Sequence, residues 1–163
     1  MSKKLSYSGG CQCGAVRYHV AGELEGAHLC HCRMCQKAVG NYFMPLASAN
    51  ETEFTITRGE PAWFHSSEPI KRGFCSKCGT PLFFKTIGSP TIAVALGSLD
   101  DPSAVPPERQ DGIVSRVAFY SHLTDLPGQE VDRPDIAGGL GAISSTNHQH
   151  PDHDTASWPE KGV

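Results

Sequence analysis

Apolar positions fall in short alternating runs rather than at helical spacing, and turn residues separate the runs. Val16 to Val20 alternates in the manner of a half-buried strand after a Gly-rich entry. Tyr42 to Ala47 is a second apolar segment. Phe54-Thr55-Ile56-Thr57 and Ala62-Trp63-Phe64-His65 flank the break Arg58-Gly59-Glu60-Pro61, which predicts a hairpin with Trp63 in the core. Pro81 to Lys85 and Thr91 to Leu96 predict another, joined through Gly88-Ser89-Pro90. Ile113 to Tyr120 reads as the last strand. Two short helical pieces are expected. One follows Cys32; the other opens at Asp101-Pro102, where Asp101 can cap and Pro102 suits the first helical position. The pattern is that of one mainly β domain.

From Gly128 to Val163 the periodicity stops. Gly138-Gly139, Ser144-Ser145-Thr146 and a His-rich stretch carry only scattered apolar residues, which predicts a disordered tail over 128–163. His148, His150 and His153 in that tail have a spacing that binds metal weakly and adventitiously. Trp158 is a lone tail tryptophan.

Composition narrows the class. The 163 residues include 17 Gly and 12 Pro, which favours turns over long helices, and the formal net charge is -3. No basic field is available for phosphates, so a nucleic-acid partner is not expected. Leu5-Ser6-Tyr7-Ser8-Gly9-Gly10 after Lys3-Lys4 is no apolar signal core. The longest apolar run, Ile92 to Leu96, is far short of the roughly 20 residues of a spanning helix, so no membrane partner is expected either. A reducing, cytoplasmic setting fits, and there clustered cysteines mean metal or catalysis.

The seven cysteines fall into three clusters: Cys11-x-Cys13, Cys30-x-Cys32-x-x-Cys35 and Cys75-x-x-Cys78. An odd number excludes a complete disulfide framework. Four plus three suits one closed zinc site and one with an open fourth position. Residues two apart on a strand share a face, so Cys11 and Cys13 can meet one metal, as can Cys30 and Cys32. Gly14 and Gly79 each follow a cysteine, where a positive φ lets backbone N–H groups approach sulfur. Spacing leaves the partition open. Cys32 and Cys35 with Cys75 and Cys78 would form a four-cysteine ribbon. Cys11 and Cys13 with Cys75 and Cys78 would leave the compact trio Cys30, Cys32 and Cys35, which can hold zinc from one side.

Gly9-Gly10-Cys11-Gln12-Cys13-Gly14-Ala15-Val16-Arg17-Tyr18, followed by Cys30-His31-Cys32-Arg33-Met34-Cys35-Gln36-Lys37, resembles the glutathione-dependent formaldehyde-activating enzyme family, which includes the centromere-protein-V type. The likeness continues through Phe64-His65-Ser66-Ser67 and Arg72-Gly73-Phe74-Cys75-Ser76-Lys77-Cys78-Gly79-Thr80-Pro81-Leu82 to Gly97-Ser98-Leu99-Asp100-Asp101-Pro102. With the last strand it spans residues 5–127. The chain departs from many relatives at Val117-Ala118, where they carry a Pro-Trp pair.

The resemblance implies folded-over antiparallel β-sheets with zinc knuckles, related to a Rab exchange accessory factor. It implies a structural zinc on Cys11, Cys13, Cys75 and Cys78, and a catalytic zinc on Cys30, Cys32 and Cys35. The implied reaction is that of a zinc-dependent carbon–sulfur lyase acting on adducts of glutathione, or a similar thiol, with formaldehyde or another small aldehyde. Thiol and aldehyde would then be the small-molecule partners. No sequence feature specifies an oligomeric state.

Other residues take secondary roles. Arg33, Lys37, Lys71 and Arg72 lie beside the cysteines, and a basic rim would suit the two carboxylates of glutathione. Arg72 and Lys37 are the candidate cosubstrate contacts, with Ser66 as a hydrogen-bond donor. His31, between two same-face cysteines, is expected to point away from them. The alternative to an enzyme is a non-catalytic zinc module for a protein partner, for which one closed four-thiolate site would suffice.

Overall fold

The computed structural model describes residues 5–157. Lys3, Lys4, Trp158 and the end of the expected tail lie outside them. Among the described residues, ten strands form two sheets. β1 (Tyr7–Gly10), β2 (Arg17–Val20) and β5 (Phe54–Arg58) make a small antiparallel sheet in that order. The larger sheet contains β3 (Glu25–Cys30), β4 (Met44–Asn50), β6 (Ala62–His65), β7 (Ile70–Phe74), β8 (Pro81–Thr86), β9 (Thr91–Ala95) and β10 (Arg109–Asp111). Its order is β10-β3-β4-β9-β8-β7-β6.

The pleat sorts the large sheet's side chains onto two faces. Ala47, Phe83 and Val94 face the small sheet. There Tyr18 of β2 stacks on Phe54 at 5.8 Å and meets Phe83 edge-on at 5.2 Å. Leu46, Phe84 and Ala93, one residue along, face the opposite way with Cys35 and Met44. That second face is covered by α1 (Arg33–Val39). Cys32 caps the helix, its Sγ accepting from the Cys35 N–H, and Gly40 ends it in the left-handed region. Asp101 likewise caps a 3-10 turn at Pro102–Ala104, in the place expected for the second helical piece.

Four expectations are corrected. The 54–65 segment is not a hairpin: β5 pairs with β2, and β6 pairs with β7 in the other sheet. Gly59 makes the crossing, with φ +64°, and its Cα passes so close to Ala15 that an added Cβ would lie 2.0 Å from the Ala15 carbonyl oxygen. The last strand is β10, not 113–120. Residues Ile113–Ser115 and Tyr120–Asp125 form 3-10 turns, because Asp111 takes up the edge of the sheet by accepting from the His31 N–H while Val114 is left 96% exposed. The sheets are antiparallel except where β10 runs parallel to β3 after the long excursion from 96 to 108. Trp63 is 36% exposed on β6, stacked on Phe83 at 6.1 Å with the Lys71 ammonium 4.4 Å over its ring, rather than enclosed.

Residues beyond 127 form α2 (Gly139–Thr146), with no buried side chain. The chain then returns to the small sheet. The His150 N–H donates to the Gln12 carbonyl at 2.7 Å. Asp154 accepts from Arg17 at 2.7 Å, and Arg58 donates to the Thr155 carbonyl. Arg17 is buried and also holds Asp100 in a two-pronged pair at 2.7 and 2.6 Å. No helix among the described residues is long and apolar enough to cross a membrane.

Candidate metal centres and the adjoining cavities

Two cysteine groups form, each with its sulfurs within 4.8 Å of one another: Cys11, Cys13, Cys75 and Cys78, and Cys30, Cys32 and Cys35. The ribbon grouping does not occur among the described residues. Tetrahedral zinc with Zn–S near 2.3 Å requires sulfurs about 3.8 Å apart. Cys11 and Cys13 are separated by 3.6 Å, Cys13 and Cys75 by 3.9 Å. These two spacings match those of a tetrahedral zinc site, and the other sulfurs of the group lie within 4.8 Å.

Its cysteines sit on two turns rather than on strands. The Cys11 N–H donates to the Val16 carbonyl and the Gly14 N–H to the Cys11 carbonyl, closing the first turn after β1. The Gly79 N–H donates to the Cys75 carbonyl, closing the second. Gly14 and Gly79 share φ +78°, so the two knuckles match. Backbone N–H groups of Val16 and Lys77 donate to the sulfurs of Cys11 and Cys75 at 3.2 and 3.4 Å, as donors around a thiolate–metal site do. As free thiols the group splits. Burial pushes Cys11 and Cys13 up. Burial also opposes ionisation of Cys78, but hydrogen bonds from Thr80 and Cys13 outweigh it and bring that thiol down to about 6.

The trio sits at a corner. Cys30 ends β3, Cys32 caps α1, and Cys35 lies on the helix's first turn. Among the described residues the group includes no His, Asp or Glu, and three sulfurs leave one side of a tetrahedron open. Arg72, on β7, reaches it across the sheet: Nη2 donates to Cys35 Sγ at 3.5 Å and Nη1 to Met44 Sδ at 3.7 Å. The guanidinium lies 5.0 Å above the Phe84 ring. It is 8% exposed, and its Nε–H has no acceptor among the described residues. Burial pushes the Cys35 thiol up to about 12 despite Arg72. Cys30 is raised, chiefly by burial. Cys32 is lowered: burial is outweighed by the Cys35 N–H, sulfur contacts to Cys35 and Cys30, and the Arg72 charge.

The cysteine trio lines a cavity of about 230 Å³. Part of its floor is a cross-strand row that register dictates: Arg72 opposite Phe84, Phe84 opposite Ala93, Ala93 opposite Ser48. Met34, Ser66 and Arg72 are shared with a second cavity of about 730 Å³ between α1 and the strands β6 to β8.

Residues 6–113 match the family model described as glutathione-dependent formaldehyde-activating enzyme. The chain belongs to that family. It is also similar to a crystal structure of a Rhodobacter sphaeroides protein from structural genomics, at 24% identity and a TM-score of 0.51, over 63% of this chain and 98% of the other. That likeness concerns the fold.

Within this formaldehyde-activating-enzyme frame the expected site residues disperse. Lys37 lines the larger cavity and Ser66 both, while Arg72 stands at the sulfurs themselves. Lys71 is turned away onto Trp63. His31 points into the core: Nε2 meets Gln110 Oε1 at 3.0 Å, Tyr120 packs edge-on at 4.7 Å, and Nδ1 is buried without a partner. His28, not singled out from the sequence, lines the smaller cavity with Nδ1 on the Gly26 carbonyl at 2.8 Å and Nε2 3.6 Å from Asp111. Its position two before Cys30 was the available signal, since both then face one side of β3.

Proposed function

We propose that this protein makes and breaks the carbon–sulfur bond between glutathione, or a similar thiol, and an aldehyde, as a zinc-dependent lyase. The observation that carries the reading is the three-thiolate group with one open side in a cavity wall, backed by a buried guanidinium. The family's description supplies glutathione and formaldehyde as the chemical precedent. In the forward sense sulfur bonds to the carbonyl carbon, the π pair moves to oxygen, and the thiol proton ends on that oxygen; the lyase direction reverses each change.

Cys11, Cys13, Cys75 and Cys78 would hold a structural zinc, and Cys30, Cys32 and Cys35 a catalytic one. Zinc on the trio would supply a Lewis-acidic fourth position that favours the thiolate form of an incoming thiol. Arg72 offsets the excess charge of three thiolates and draws anions towards the trio. Ser66 and Arg72, where the two cavities meet, and Lys37, on the wall of the larger one, bind the glutathione chain. A reducing compartment such as the cytoplasm keeps all seven thiols available.

Zinc per chain, measured before and after brief mild chelation, with glutathione titrated into both samples, tests this. Two zincs falling to one with loss of glutathione binding, and faster exchange of labelled formaldehyde into the glutathione adduct by the intact protein, are expected. One chelator-resistant zinc with no glutathione binding would overturn the reading and favour a zinc module for a protein partner.

A further inference from the structure

The larger cavity is out of proportion to formaldehyde. Its 730 Å³ would hold roughly two dozen waters at their liquid volume, whereas formaldehyde is one carbon and one oxygen. Its walls are mostly carbon: Phe64, Phe74, Met34 and Pro81 line it. Phe64 and Met34 are 62% and 61% exposed, an apolar surface that folding alone leaves uncovered. The charged lining residues are Arg33, Lys37 and Arg72, with no carboxylate among them. Arg72 also borders the smaller cavity and has a buried N–H without an acceptor. A mostly apolar volume with a few convergent cationic groups matches an amphipathic anion.

We propose that this cavity receives a bulky apolar group, arylalkyl or long alkyl, carried by an anionic molecule. On the function proposed above, that group is the carbonyl-derived half of the thiol adduct, and the glutathione carboxylates take the basic lip. Glutathione's own ammonium, amides and carboxylates would find few partners against Phe64, Phe74 and Pro81, so the apolar half is the one that belongs inside. The aldehyde that fills this cavity is accordingly large and apolar, whereas formaldehyde reacts at the trio and leaves the cavity unfilled. This inference rests on the lyase reading only for the identity of the anionic half.

Inert thioethers separate binding from chemistry. S-Methylglutathione and S-hexylglutathione are titrated into the zinc-loaded full chain by calorimetry. S-Hexylglutathione is expected to bind at least about 30-fold tighter, since each buried methylene strengthens transfer. Ala38→Trp, an exposed helix position on the cavity wall, is expected to cut that preference to below about threefold by filling the space. Phe64→Ala, also at an exposed site, is expected to reduce it in the opposite manner, by removing wall. Equal binding of the two thioethers overturns the inference and leaves the glutathione reading intact. If neither binds, octanoate is the probe: binding that Ala38→Trp abolishes sustains the apolar-anion cavity and removes glutathione, and no binding overturns the cavity inference.

Discussion

Arg72 borders both cavities and donates to the cysteine trio. On the proposed zinc site, three thiolates and a divalent cation would carry one net negative charge, which the guanidinium donating to Cys35 would offset. Arg72→Gln retains an N–H donor but removes the charge. It is expected to lower zinc affinity at the trio, or activity, about 10- to 100-fold, as changes around metal ligands do. Arg72→Lys is not expected to restore it, because one ammonium cannot reproduce the fork that reaches Cys35 and Met44 together. Competition with a chromogenic chelator reads the affinity directly; an unchanged value would contradict the charge argument. The cysteines were legible in the chain because metal ligation demands local spacing. The direction of Arg72 was not, since a strand residue's reach depends on which sheet face its register selects. His28 was hidden for the same reason.

Among the elements, β8 and β9 were legible because Phe83 and Val94 alternate cleanly with Phe84 and Ala93 across one turn. β3 and β7 were not. Glu25-Gly26-Ala27-His28 and Ile70-Lys71-Arg72-Gly73 place polar groups on a face that borders a cavity rather than water, so the usual apolar alternation is broken. The segment from Ile113 failed in the other direction, because its apolar side chains lie outside the core. The false hairpin at 54–65 turns on Gly59, whose left-handed backbone and contact with the Ala15 carbonyl carry the chain between sheets. Gly59→Ala combines a strained φ with that close approach. It is expected to destabilise the fold by more than about 1 kcal/mol, read from the midpoint of urea unfolding at unchanged slope.

At the scale of the whole molecule, the returning segment 150–155 ties the chain's end to the small sheet through Arg17 and Arg58. The Arg17 guanidinium holds the Asp154 carboxyl below its ordinary range. Burial, aided by the nearby Arg17 and Arg58 charges, lowers the His150 imidazole. Both groups bind protons less readily when docked than when free. Their contributions are therefore complete above their free values and fade as pH falls, His150 from about 6.5 downward and Asp154 below about 4. Loosening of residues 150–155 is expected as pH falls below about 6.5, followed by full release below about 4, with Asp154→Asn weakening the attachment throughout. Amide NMR signals from this segment provide the measurement; order undiminished at pH 4 would contradict it.

The outermost strands of the large sheet carry a different consequence. β10 is three residues with Arg109 and Asp111 at its ends, and β6 is four residues that follow Pro61. Neither margin offers enough free backbone to template a neighbouring chain. The large sheet is thus guarded at both margins against fibre-like pairing, and its part in clumping on heating is expected to begin only after the long inner strands have come apart.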